Sequence, residues 1–68
     1  MIYRLNQHEN GNFSMARFHS DSERWLPIDH EGLTFDQVEI SLRAFGFVAI
    51  DDYVRGAVRQ TIYAIGGL

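Results

Sequence analysis

A chain of 68 residues with 46% apolar and 13% aromatic side chains suits one small α+β domain over residues 1–68 and is too ordinary in composition for a disordered or collagen-like polymer. Nine acids against six bases leave a net charge of -3, too mild for a DNA mimic or for a protein held to nucleic acid by charge alone. With no cysteine there is no disulfide and no thiolate zinc site, so stability has to come from packing, within the chain or against a second copy.

After Met1-Ile2-Tyr3 the polar residues Arg4, Asn6 and Gln7 interrupt any export-type apolar core. The longest uncharged apolar stretch, Ala44 to Ile50, is far below the roughly 20 residues of a membrane span. The expectation is a cytoplasmic protein that does not engage membranes. All six basic residues are arginine, which favours bidentate and stacked ion pairs over point charges.

Alternating apolar residues predict two strands, Ile2 to Gln7 and Phe13 to His19, joined through His8-Glu9-Asn10-Gly11-Asn12. Taking Asn10-Gly11 as the two central residues of a type I′ turn sets Tyr3 opposite Phe18, Leu5 opposite Ala16 and Arg4 opposite Arg17. That register puts Tyr3, Leu5, Ala16 and Phe18 on the core face. It leaves Ile2, Arg4, Asn6, Met15, Arg17 and His19 outside. A third short strand, Arg24 to Ile28, follows Ser20-Asp21-Ser22, and Pro27 assigns it to a sheet edge.

The period then changes. Thr34 and Gln37 form a capping box, Leu33 and Val38 a hydrophobic staple, and Phe35, Val38, Leu42 and Phe45 one helical stripe. Gly46 supplies a left-handed stop, with Phe47 placed to meet Leu42. A second helix is predicted from a cap at Asp51 or Asp52 to about Ile65, ended by Gly66-Gly67, with Val54, Val58, Ile62 and Ile65 as its stripe. Thr61 to Ile65 suits a strand equally well on propensity, and Gly56 costs about 1 kcal/mol inside a helix. The agreement of cap, stripe and terminal glycines favours helix. The resulting fold is α+β: a small antiparallel sheet, the N-terminal hairpin plus a third strand, covered on one face by two C-terminal helices.

No residue pattern points to catalysis, a cofactor or a metal. His8, His19 and His30 lack ligand spacing, Ser20, Asp21 and His19 crowd one turn, and Asp51-Asp52 stands where a cap is wanted. Two surface features remain. Arg4 facing Arg17, with His19 and Trp25 nearby, would make a basic, aromatic patch suited to an acidic protein surface or, second to that, a nucleic-acid backbone. Tyr53, Ala57, Tyr63 and Ala64 would give the second helix a surplus apolar side suited to a homodimer. The candidate partner-binding residues are therefore Arg4, Arg17, His19, Trp25, Tyr53 and Tyr63.

From Arg24 to Ile65 the order strand, helix, glycine, helix resembles ribbon-helix-helix repressors and antitoxins, with Val54-Arg55-Gly56-Ala57-Val58-Arg59 similar to that family's second helix. The resemblance implies an obligate dimer whose paired strands enter the DNA major groove. The leading expectation is different: a non-catalytic protein-binding module, of the size class of the small inhibitors and adaptors of phages and mobile elements, which acts by occluding a partner protein's surface.

Overall fold

The first hairpin forms from the predicted stretches, β1 (Ile2–His8) and β2 (Phe13–His19), in a computed structural model that describes residues 1–65. Its register differs by one residue. His8 accepts a hydrogen bond from the Gly11 N–H at 3.0 Å and donates its own N–H to the Asn12 carbonyl at 2.8 Å, which closes a three-residue loop. Gly11 takes the left-handed position at φ 90°, whereas Asn10 keeps negative φ. Asn10-Gly11 thus serves as the end of a type I turn plus left-handed residue, not as a type I′ pair. Tyr3 pairs with Arg17, Arg4 with Ala16 and Leu5 with Met15.

Because side chains alternate with period two, that single step exchanges the faces of β2 relative to β1. Met15 joins Leu5 on the core side, and Ala16 and Phe18 go to the other. The expected opposition of Arg4 and Arg17 does not exist. The third strand, β3 (Arg24–Ile28), occupies the predicted residues and lies against β2 at the sheet edge, as Pro27 requires.

The helix α1 (Phe35–Ala44) begins with both bonds of the capping box: the Gln37 N–H donates to Thr34 Oγ1 at 3.2 Å, and the Thr34 N–H donates to Gln37 Oε1 at 2.9 Å. It ends at the Phe45 cap, where Gly46 at φ 89° sends its N–H to the Arg43 carbonyl at 3.0 Å. Val38 and Leu42 are buried, and Phe35 packs beside them. Phe45, the last residue of the predicted stripe, is instead 78% exposed.

The segment predicted as a second helix is a hairpin, β4 (Phe47–Arg55) and β5 (Val58–Ile65). Among the described residues there is one helix over one five-stranded antiparallel sheet, ordered β3-β2-β1-β5-β4. Gly56 is the reason for the change. At φ 60°, followed by Ala57 at negative φ, it opens a two-residue turn of the II′ pattern. Asp51 caps nothing; its Oδ1 accepts the next N–H, that of Asp52, at 3.0 Å. Neither the ribbon-helix-helix order nor a homodimer through a second helix has a structural basis in residues 51–65. The terminal glycine signal, Gly66-Gly67, lies outside the described residues.

β5 runs antiparallel to β1, setting Tyr3 against Tyr63 and Leu5 against Thr61. Leu5, Tyr63 and Phe47 then form the core with Val38 and Leu42 of the helix, and Tyr3, Phe13, Met15 and Phe35 close its sides. Edge-on aromatic pairs join Tyr3 to Phe47 (5.1 Å) and Phe13 to Phe35 (5.7 Å).

Gly56→Ala separates the two conformations of this segment by sign. In the observed turn an L side chain at positive φ should lower stability by at least about 1 kcal/mol, although no atom lies within 4 Å of the added Cβ. In a helix interior the same change would raise stability by about 1 kcal/mol. Urea unfolding decides, and a stabilised variant would refute the hairpin.

Candidate binding face on the uncovered side of the sheet

Only one face of the sheet meets the helix. Cross-strand partners share a face, so the registers place Ile2, Arg4, Asn6 and His8 of β1 with Ser14, Ala16 and Phe18 of β2 on the other. Trp25 and Pro27 of β3 and Val58, Gln60, Ile62 and Ala64 of β5 follow. On β4 a bulge between Ala49 and Asp51 resets the alternation, which leaves Val48, Asp51, Tyr53 and Arg55 on this side.

Arg4 sits on the central strand between Ala16 and Ile62. Its guanidinium carbon lies 4.6 Å from the centroid of the Trp25 ring, two strands away, and Trp25 meets Phe18 edge-on at 5.4 Å. The small Ala16, buried on a face that the helix does not cover, is the gap across which Arg4 and Trp25 reach each other. Arg4 Nε is buried and has no hydrogen-bond partner. A guanidinium stacked on indole keeps its in-plane N–H groups for an acceptor, and a carboxylate fits that fork.

Charge is segregated in the same direction. The strand residues of this face include Arg4, Arg55 and His8 but only one acid, Asp51, on a chain with a net charge of -3. Asn6, His8, Tyr53, Arg55, Val58 and Gln60 line an open depression of about 310 Å³ at one end. The face is therefore aromatic and basic, with an apolar floor of Ile2, Phe18, Ile62 and Ala64 around Arg4 at the end away from Arg55.

Of the six residues singled out by sequence, Arg4, Trp25 and Tyr53 come together on this face. Arg17 and His19 are carried to the helix side by the register step, where His19 Nδ1 pairs with Ser22 Oγ at 2.9 Å. Tyr63 is no contact residue: it is 1% exposed, and its hydroxyl donates to Glu39 Oε2 of the helix at 2.8 Å. Phe18, Ile62 and Arg55 were not legible as site residues, because their face depends on the register and on Gly56 forming a turn.

On the helix side Arg59 and Asp52 satisfy one another. Arg59 donates to Asp52 through Nε (3.0 Å) and Nη2 (2.6 Å), and this hydrogen-bonded guanidinium holds the Asp52 carboxyl below its ordinary range. Among the described residues no cluster of three or more His, Asp or Glu could hold a metal ion, and no helix is long and apolar enough to cross a membrane. Comparison of the chain with protein-family models, with curated proteins and with solved structures gives no match.

Two outcomes check this geometry. Burial first, then the Glu39 carboxylate, push the Tyr63 phenol up to about 12. The folded state thus holds that proton more tightly than the unfolded chain, so the contribution is intact below pH 10 and disappears as pH rises toward 12. The loss should be on the order of 2 to 3 kcal/mol, and Tyr63→Phe should abolish that part of the alkaline slope in urea unfolding at each pH. An unchanged slope would show that Tyr63 does not ionise in the window. Arg4→Met removes a buried donor without a partner along with a cation–π contact, so stability should hold or rise by up to about 1 kcal/mol. A marked loss would mean that the Arg4 donor is satisfied within the chain.

Proposed function

We propose that this chain is a non-catalytic binding module that covers an acidic surface of a partner protein with the uncovered face of its sheet, in the manner of a small inhibitor or adaptor. The observation that carries the reading is Arg4: its guanidinium lies over the Trp25 ring, its Nε is desolvated without a partner, and it stands amid Phe18, Ile62 and Ile2 on a face whose described strand residues include one acid. A carboxylate of the partner would accept from the guanidinium, and apolar side chains around it would cover the floor. Tryptophan and arginine at the centre of such a patch are the residue types on which binding energy concentrates.

The helix-side groove, about 260 Å³ and lined by Tyr3, Met15, Ile28, His30, Leu33 and Phe45, offers no comparable unsatisfied donor–aromatic pair. His30 Nδ1 is likewise buried without a partner, but its ring, stacked on Phe13 at 4.3 Å, presents no fork of donors to a carboxylate.

The test compares proteins retained from lysate by the immobilised wild-type chain with those retained by Arg4→Ala, Trp25→Ala and Arg17→Ala. Trp25→Ala and Arg4→Ala should each weaken the specific interaction at least tenfold, and Arg17→Ala should leave it within about twofold. Binding should survive moderate salt. Equal retention by all four proteins would remove this face from the function. Retention of single-stranded nucleic acid, with log affinity falling steeply with log salt, would replace the acidic protein with a phosphate backbone.

A further inference from the structure

The two edges of the sheet are unequal. β3 is five residues long and contains Pro27, which has no N–H to donate. β4 is nine residues long without proline, and it exposes Ile50, Tyr53 and Val54. Its bulge ends regular pairing at Ile50, so the competent part of the edge is Asp51-Asp52-Tyr53-Val54-Arg55.

The direction of each backbone group in that segment follows from one bond. The Glu9 N–H donates to the Ala57 carbonyl at 3.0 Å, so odd-numbered residues of β5 turn toward β1, and Val58, Gln60 and Ile62 turn toward β4. Their partners Arg55, Tyr53 and Asp51 turn inward. The N–H and C=O groups of Asp52 and Val54 therefore point out of the free edge with no backbone partner among the described residues; the Asp52 N–H is held there by the side chain of Asp51 at 3.0 Å, a bond that strand pairing would replace.

We propose that the chain self-associates edge to edge through β4, antiparallel about a two-fold axis at Tyr53, so that Asp51 of each protomer meets the partner's Arg55. Only registers that bring outward-pointing residues face to face can form hydrogen bonds, which restricts the choice to alternate steps. Of these, the register centred on Tyr53 pairs Asp52 with the partner's Val54 in a hydrogen-bonded pair and Asp51 with the partner's Arg55 in the closer, non-hydrogen-bonded pair. The register two residues one way would oppose Asp52 to itself.

Asp51 and Arg55 are exposed and have no ion-pair partner among the described residues, whereas Asp52 is already neutralised by Arg59. The charge order along the segment is thus self-complementary when reversed, as an isologous contact demands. The axis stands perpendicular to the sheet, so the uncovered faces of both protomers lie on the same side and form one platform with the two Tyr53 side chains at its centre.

Sedimentation across a concentration series should show a monomer–dimer equilibrium. Arg55→Asp places Asp51 opposite a second acid twice per dimer and should weaken association about tenfold or more. Asp51→Arg should do the same, and the double exchange Asp51→Arg/Arg55→Asp should restore it to within about threefold of wild type. Val54→Pro removes an outward donor without touching the β5 ladder and should abolish the dimer while circular dichroism stays unchanged. Tyr53→Cys, the only cysteine in the chain, should cross-link to itself on mild oxidation, because a non-hydrogen-bonded pair holds Cα atoms within disulfide reach. A chain that stays monomeric throughout, a dimer indifferent to Arg55→Asp and Val54→Pro, or a double exchange that fails to rescue would each overturn the proposal.

Discussion

β1 has a neighbour on each side because β5 returns from beyond the helix to lie antiparallel against it. That contact has the longest reach along the chain, joining its first strand to its last described one. It brings Tyr63 beside Tyr3 and Thr61 beside Leu5, and it supplies the floor onto which Val38 and Leu42 of the helix pack. Without it the first three strands would present Leu5 and Met15 to a helix too short to cover them alone. A 68-residue chain with no disulfide has little spare burial, so one non-local strand pairing carries much of the cooperativity.

The same pairing leaves the sheet one-sided. One helix covers one face, and the opposite face has to solve its own exposure with Ala16 buried beneath larger neighbours, Trp25 across Phe18, and the Arg4 stem and guanidinium across Trp25. An arginine in that position covers apolar surface with its stem while carrying a charge, a compromise between burial and solubility of the free chain. The stranded Arg4 Nε marks where that compromise costs stability, and such costs tend to gather at functional positions.

Local signals were legible where the chemistry that sets them is local. The Thr34-Gln37 box and the Gly46 stop act within a few residues, and both form as the sequence predicts. Strand extents in the first three segments follow from alternation, and Pro27 excludes β3 from the sheet interior. The register of the first hairpin was not legible, because Asn10-Gly11 satisfies two turn types whose loops differ by one residue. That ambiguity moved Arg17 and His19 away from Arg4 and kept Trp25 with it.

Residues 51 to 65 are the opposite case. Val54, Val58, Ile62 and Ile65 fit a helical stripe, and Asp51 could cap it, yet the segment is a hairpin around Gly56. Sequence by itself determined the first three strands, the capped helix and the candidacy of Arg4 and Trp25, since each depends on short-range periodicity or on side-chain chemistry; Tyr53 was singled out on the side of a helix that does not form. Tertiary structure alone decided that the last segment is strand, which face each side chain takes and that Tyr63 is core. The physical reason is that β1 needed a second hydrogen-bonding neighbour, and only pairing across the whole chain could provide it.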